Sequence, residues 1–210
     1  MGTPMITVVV ASYRYGHLAA HCIESVLSQT QPPERILFVD DGVGDCSHLP
    51  QIYPEVEYTF RERNLGTVSN FQDMLMRVES EYVMFLGADN WLRSDALEVL
   101  SPAVTDIVTY DIVVTGELKG ILPPKSDAPT ISPIQGDLYW QRTAAHHGSM
   151  LYRTRLGQEI GYRPERFGTQ QPNEDWYLWN QMRQRGATLA YHQEGLLYYR
   201  RHRENFLKYN

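Results

Sequence analysis

The sequence predicts a single α/β domain, a Rossmann-like, mostly parallel sheet flanked by helices. Three observations carry that expectation. The chain has 210 residues, the size of one such domain with little room for a second. Several runs are short, β-branched and apolar without alternation, as expected for strands covered on both faces of a parallel sheet. Segments with helical periodicity lie between them, the order of a βαβ fold.

Met5 to Ala11 is the first such run. From His17 to Gln29 the period changes: Leu18, Cys22 and Val26 recur every four residues beside Ala19, Ile23 and Leu27, a helix stopped by Pro32-Pro33. Arg35 to Asp40 is a second strand ending in a carboxylate, and Val56 to Phe60 a third, weaker one. Phe71, Met74, Leu75 and Val78 mark another helix, followed by the buried strand Tyr82 to Leu86. Ser94 before Asp95 to Leu100 reads as a capped helix with early negative charge. Asp106 to Thr115 is strand-like, and Glu117 to Gln135, rich in proline and polar residues, reads as a long loop. Asn173 to Arg185 is a helix with Trp176, Trp179 and Met182 on one face and Gly186 as its stop. Leu196 to Arg200 is a last aromatic strand.

Formal net charge is -6, which argues against a nucleic-acid coat; no nucleic-acid partner is expected. An anionic ligand would need a metal, a helix N-terminus or placed arginines. Cys22 and Cys46 lack metal-ligand spacing and are too few for a disulfide framework. The longest apolar run is too short for a transmembrane segment, and the first strand starts too early for a signal peptide. The expectation is a cytoplasmic protein.

Ligands of parallel α/β sheets bind outside the carboxyl ends of the strands. Three strand ends here carry polar turns: Ala11-Ser12-Tyr13, Asp40-Asp41-Gly42 and Gly87-Ala88-Asp89-Asn90. Gly42, Gly44 and Ser47 approach a dinucleotide fingerprint, but the third glycine is missing and Pro50 and Pro54 interrupt the helix that should follow. Two carboxylates ahead of the glycines suit hydroxyl and base N–H donors better than a pyrophosphate; a plain polar turn is the alternative. Asp89 could hold a hard cation or cap the next turn, with Asn90 a weaker neutral ligand. Glu174 and Asp175 open a helix, where acidic residues complement the macrodipole or, with one facing a cleft, do chemistry. Arg200, Arg201, His202 and Arg203 are a solvated basic tail or a diphosphate clamp. His146 and His147, as strand neighbours, would face opposite ways. His21 and His192 read as structural.

The order of these motifs resembles the inverting glycosyltransferases of family 2, which have the GT-A fold. Val8 to Tyr13 looks like the family's first strand and turn, and Glu24 to Thr30 like its first-helix signature. Val39-Asp-Asp-Gly42 is similar to the motif holding the donor's base and ribose, and Asn64-Leu-Gly66 with Asn70 to the segment lining the nucleotide pocket. Phe85 to Asn90 aligns with the metal motif, Glu174 to Trp179 with the catalytic-base motif, and Leu197 to His202 with the closing strand. The likeness covers nearly everything except Thr115 to Ala145.

That resemblance implies an enzyme that moves a sugar from a nucleotide-diphosphate donor, a UDP-sugar first, to an acceptor hydroxyl on a carbohydrate or glycoconjugate. It implies nucleotide contacts from Ala11, Ser12, Tyr13, Asp40, Asp41, Asn64, Gly66, Asn70, Ala88 and Arg201. A divalent cation, manganese or magnesium, would sit on Asp89 and His202. Asp175 would be the catalytic base and Glu174 its orienting neighbour. Residues 5–114 would form the nucleotide-sugar half and 115–210 the acceptor and base half. The acceptor would meet the long loop with Tyr139, Trp140, His147 and Trp179. Two departures remove charge from the donor site: Gly87 stands where the family has a carboxylate, and Ser69 where an arginine is frequent. A nucleotide-sugar-binding domain without transfer is the alternative. A sugar-phosphate nucleotidyltransferase would need a glycine-rich activation loop that Ala11 to His17 lacks, and a dehydrogenase is the weakest rival.

Overall fold

The computed structural model describes residues 4–101, 105–116, 120–122, 150–163 and 174–202, with residues 120–122, 174 and 176 described by backbone alone. The order is β1 (Ile6–Ser12), α1 (Gly16–Leu27), β2 (Arg35–Asp40), α2 (Leu49–Ile52), β3 (Glu57–Phe60), α3 (Thr67–Met76), β4 (Tyr82–Gly87), β5 (Trp91–Leu92) and α4 (Ala96–Leu100). Then come β6 (Ile107–Gly116), β7 (Gly120–Leu122), β8 (Met150–Arg153), α5 (Thr154–Ile160), α6 (Glu174–Gln184) and β9 (Leu189–Arg201).

One sheet runs in the order β3-β2-β1-β4-β8-β6-β9-β5, with β7 paired to β6 off that path. The first four strands are parallel neighbours. β8 is antiparallel to both β4 and β6, so β6 again points the same way as β4, and β9 is parallel to β6. Only β5, β7 and β8 run against the rest among the described strands. The expected mostly parallel sheet is therefore present as a mixed one, with all the carboxyl ends of β1, β2, β4 and β6 at one edge.

Burial explains the strand composition. Val8 and Val10 of β1 face a core shared with Ala19, Cys22, Ile23 and Val26 of α1 and Leu97 of α4. Val9 faces a second core with Phe71, Met74 and Leu75 of α3 and Leu178, Trp179 and Met182 of α6. A strand covered on both sides has no solvent face to mark with polar residues, which is why β1 reads as a continuous apolar run.

Several expectations change. Pro50 does not forbid a helix after β2: it occupies the first turn of the short α2, where a missing N–H costs nothing. Ser94 does not cap α4; the helix is preceded by Asp95, whose carboxylate pairs with Arg93 instead of a helix N–H. The last strand is thirteen residues rather than five. β8 and α5 were not anticipated, because four residues of strand leading directly into one short helix leave too little period to read. Trp179 is buried at 2% exposure, a core residue rather than an acceptor platform. Tyr139, Trp140, His146 and His147, and most of the predicted long loop, lie outside the described residues.

The β6–β9 pair, which carries the far side of the site, is closed at its start by Asp106. Its Oδ2 accepts from the Thr188 N–H at 2.8 Å and the Thr188 hydroxyl at 2.7 Å, and Arg153 Nε stands 3.3 Å from its Oδ1. The hydrogen bonds from Thr188, with the Arg153 charge adding to them, hold the Asp106 carboxyl below its usual range. A lowered folded-state value means stabilisation that is complete above the unfolded value of ~3.9 and lost as pH falls through the folded one. Asp106→Asn is therefore expected to lower Tm by a few degrees at pH 7. The gap to wild type should narrow as thermal melts are taken below about pH 4.

Candidate active site

Register brings the three strand-end turns together. Ser12 is paired with Asp40, and Ala11 with Gly87, across the two sides of β1. Main-chain bonds continue past the strands: Asp41 N–H donates to Ser12 O at 2.9 Å, and Ala88 N–H to Ala11 O at 2.9 Å. Ala11, Ser12, Asp40, Asp41, Ala88 and Asp89 thus line one edge. Tyr13 follows, with the Arg14 guanidinium 5.0 Å above its ring and Arg14 itself at a φ of 66°, a left-handed backbone that a non-glycine residue seldom adopts.

The two adjacent carboxylates have different surroundings. Asp40 Oδ1 accepts from Val43 N–H at 2.9 Å, and its Oδ2 from Gly44 N–H at 2.9 Å and Cys46 N–H at 3.4 Å. Asp40 is 1% exposed and shapes the turn from below. Asp41 Oδ1 accepts from Leu65 N–H at 3.0 Å, while its Oδ2 has no partner among the described residues. Gly42 makes this possible: its φ is +84°, and an added Cβ would lie 2.2 Å from the Arg63 carbonyl carbon. Asn64 folds onto the Gly66 N–H, and the buried Asn70 accepts from Arg61 through its Oδ1.

On the other side of β1, the turn after β4 is fastened to the end of β9. Arg200 donates from its main-chain N–H to Asn90 Oδ1 at 2.9 Å and from Nε to Asp89 O at 2.9 Å. The Arg200 guanidinium also lies 4.8 Å above the Trp91 ring, which stacks on Tyr198 at 5.2 Å and contacts His21 at 4.6 Å. Arg200 NH2 is 3.2 Å from His21 Nδ1, so His21 belongs to this brace. Arg201 lies with its guanidinium 5.9 Å over Tyr199. His202 brings its Nε2 to 3.1 Å from Asp89 Oδ2, with its ring edge-on to Tyr15.

That last distance tests the expected cation. Two ligand atoms side by side on an octahedral ion with bonds of ~2.1 Å stand about 3.0 Å apart. Asp89 and His202 stand at hydrogen-bond distance, 3.1 Å, a spacing that also fits such a pair. The other possible cluster, Asp40 with Asp45 and Cys46, does not. Asp40 faces N–H groups, and Asp45 Oδ2 accepts from Gly16 N–H at 2.9 Å. Burial, with Asp45 and Asp40 nearby, pushes the Cys46 thiol up to about 12 against the bond from Ser12, so it carries no thiolate at neutral pH. Burial and then Asp89 likewise raise the Cys22 thiol. At Gly87 an added Cβ would stand 2.7 Å from Asp89 Oδ1 and 2.9 Å from Asn90 Nδ2. The space that a longer residue would take is filled by those two side chains.

Asp175 sits in the first turn of α6. α6 ends at Gln184 shortly before β9, whose first residue Leu189 pairs with Ile107 at the start of β6. Eleven residues of helix span roughly 16 Å, and the chain leaves α6 to enter β9 beside the start of β6. Of Glu174 only the backbone is described. Two further polar residues lie inward of the same edge and belong to no motif. Arg61 bonds Asn70 and Asp73. Asp111, 9% exposed, accepts from the Tyr191 hydroxyl at 2.6 Å where the β6–β9 register slips. Burial first, and then Asp111, raises the Tyr191 phenol. A carboxylate inside an apolar strand was the available signal for Asp111; nothing in the sequence separates Arg61 from its polar neighbours.

Residues 7–161 match the family described as "Glycosyl transferase family 2". The chain is 28% identical over 104 residues, 47% of its length, to EpsH of Bacillus subtilis (strain 168), which carries a provisional glycosyltransferase description; that stretch is 30% of EpsH. It is 26% identical over 105 residues, 48% of its length, to the glycosyltransferase GlyA of Streptococcus pneumoniae serotype 4, covering 15% of that protein. In fold it is similar to S. aureus TarS 1–349 in complex with UDP-GlcNAc, with a TM-score of 0.72 and 15% identity over 96% of this chain and 60% of that one. The chain spans well under two thirds of these relatives.

The Asp40 turn yields a prediction. Asp40→Ala removes the acceptor of three N–H groups, one buried and two part-buried, and should cost about 2–3 kcal/mol in urea unfolding. Asp40→Asn, which keeps one acceptor oxygen, should cost less.

Proposed function

The chain belongs to glycosyl transferase family 2, and on that premise we propose that it is an inverting, metal-assisted transferase domain that takes a UDP-sugar. The observation that carries this reading is the Asp89–His202 pair at 3.1 Å, on the same sheet edge as the open oxygen of Asp41. The complex of TarS with UDP-GlcNAc supports a UDP-sugar donor, with UDP-GlcNAc the first to test. A place in polysaccharide or glycoconjugate synthesis is supported by the similarity, 28% identity over 100 residues, to TuaG of Bacillus subtilis (strain 168), provisionally described as a teichuronic acid biosynthesis glycosyltransferase. No helix among the described residues is long and apolar enough to cross a membrane; a cytoplasmic site of action is part of the proposal.

In this reading residues 5–114 hold the donor and 115–210 bring the acceptor and the base. Asp41 meets the base or ribose with its free Oδ2, while Asp40 keeps the turn in shape beneath it. Ala11, Ser12, Tyr13, Asn64, Gly66, Asn70 and Ala88 wall the nucleotide pocket. Asp89 and His202 would hold manganese or magnesium, which supplies charge neutralisation to the diphosphate. Arg201 adds positive charge from β9. Asp175 accepts the proton of the acceptor hydroxyl as its oxygen attacks the anomeric carbon from the face opposite the diphosphate, which inverts that centre. The helix N-terminus favours the ionised carboxylate that this needs. Glu174, beside it, orients the acceptor.

A second reading rests on Gly87. With Asp89 and Asn90 folded into the space of the missing carboxylate, the domain could bind a nucleotide sugar without transferring it. Calorimetric titration of UDP with and without manganese, run beside an assay of UDP-GlcNAc hydrolysis, separates the two. Binding with turnover supports the transferase; binding without turnover across a panel of nucleotide sugars supports the second reading. Asp175→Asn is expected to lower turnover about a hundredfold or more while UDP affinity stays near wild type. Asp89→Ala should abolish the manganese dependence of UDP binding. An Asp175→Asn enzyme with full turnover removes Asp175 as the base.

A further inference from the structure

Arg61 lies just past β3, outside the turns discussed above, yet its side chain is turned inward with 11% exposure. Its main-chain N–H donates to Asp40 O at 3.1 Å. From its guanidinium, Nε donates to Asn70 Oδ1 at 2.9 Å and stands 3.6 Å from Asp41 Oδ1, and NH2 donates to Asp73 Oδ2 at 2.6 Å. One side chain therefore joins the turn after β2 to two residues of α3. Arg61 and the Leu65 N–H meet the same Asp41 oxygen, so the 61–65 link is anchored on Asp41 at both ends. That arrangement leaves the other Asp41 oxygen to a ligand.

We propose that Arg61 is a positioning residue of the donor pocket: its guanidinium, fixed by hydrogen bonds from Nε to Asn70 and from Nη2 to Asp73, sets its charge beside Asp41 and fixes the open Asp41 oxygen for the nucleoside. The proposal rests on the reading of Asp41 as the nucleoside contact. A guanidinium suits the task because its N–H groups point in fixed, divergent directions, whereas an ammonium offers one point of charge. It also places a largely buried positive charge in a pocket where Ser69 stands in place of an arginine. Asp73 shows how firmly the group is held. Burial alone would raise that carboxyl, but the Arg61 hydrogen bond and the Arg77 and Arg61 charges outweigh it and keep it below its usual range.

The competing explanation is an ordinary ion pair that fastens α3 to β3. Arg77 provides the control, since its NH2 reaches the same Asp73 Oδ2 at 2.9 Å from a half-exposed position and it touches neither Asp41 nor Asn70 by any described bond. The experiment compares wild type, Arg61→Gln, Arg61→Lys and Arg77→Gln by calorimetric titration with UDP and manganese, by KM and kcat for UDP-GlcNAc hydrolysis, and by thermal melting. Arg61→Gln is expected to weaken UDP binding about tenfold or more and to raise KM by a similar factor, with kcat within about threefold. Arg61→Lys should lose about threefold or more in affinity despite its charge, and Arg77→Gln less than about twofold. Should Arg61→Gln fail to fold, the lysine variant and the Arg77 control decide. Wild-type affinity in a folded Arg61→Lys, equal losses in the Arg61 and Arg77 variants, or a fall in kcat with KM unchanged would each overturn the proposal. A wild-type protein that binds no UDP overturns the nucleotide reading itself, an outcome distinct from any difference between variants.

Discussion

Everything at the site depends on the parallel register of β1 with both of its neighbours. Ser12 sits opposite Asp40 and Ala11 opposite Gly87, and the strand-to-strand bonding carries on for one more residue on either side. A slip of one residue would turn every side chain of β1 to the other face and exchange two different cores. The apolar packing that forbids such a slip, Val8 and Val10 against α1 and Val9 against α3, also fixes where the polar turns end. The chemistry is thus aligned by hydrophobic contacts with which it has no direct dealings.

Above that register the site is held together by main-chain acceptors and by arginines, each doing a different part. Asp40 satisfies the N–H groups of a turn that would otherwise be exposed and irregular. Arg200 fastens the turn after β4 through the Asp89 carbonyl, leaving the Asp89 carboxylate to His202. On the far side, Arg61 links β2, β3 and α3. Arg61, Arg200 and Arg201 thus set positive charge along this edge of an acidic chain, each held against rings, carbonyls or carboxylates.

The first half was legible because its elements have one strong period each. β1, β2, β4, α1 and α3 all lie where apolar spacing put them, and the polar turns fall at their carboxyl ends as a parallel sheet requires. The second half was harder for identifiable reasons. β9 carries Gln193, Glu194 and Gly195 in its middle, so only its aromatic end looked like a strand, and its register with β6 slips twice across that interruption, between His192 and Gly195 and between Gly195 and Leu197. β8 and α5 are too short to announce themselves. Within the site, residue type located the carboxylates but did not separate their jobs. Asp40 and Asp41 are identical in sequence terms, and only hydrogen-bond partners tell the carboxylate with both oxygens engaged from the one with a single oxygen engaged. Trp179 misled for a similar reason, since an aromatic near a base motif is as suited to a core as to a sugar.

The Asp89–His202 contact joins residues separated by 113 positions, and this fixes when the site can exist. At a synthesis rate of about 5–20 residues per second, His202 is made roughly 6–23 s after Asp89. The parallel β3-β2-β1-β4 unit is complete by Gly87 and can begin to fold during that interval. A newborn chain therefore passes through a stage in which the turn after β4 has been made but Asp89 still lacks its imidazole partner.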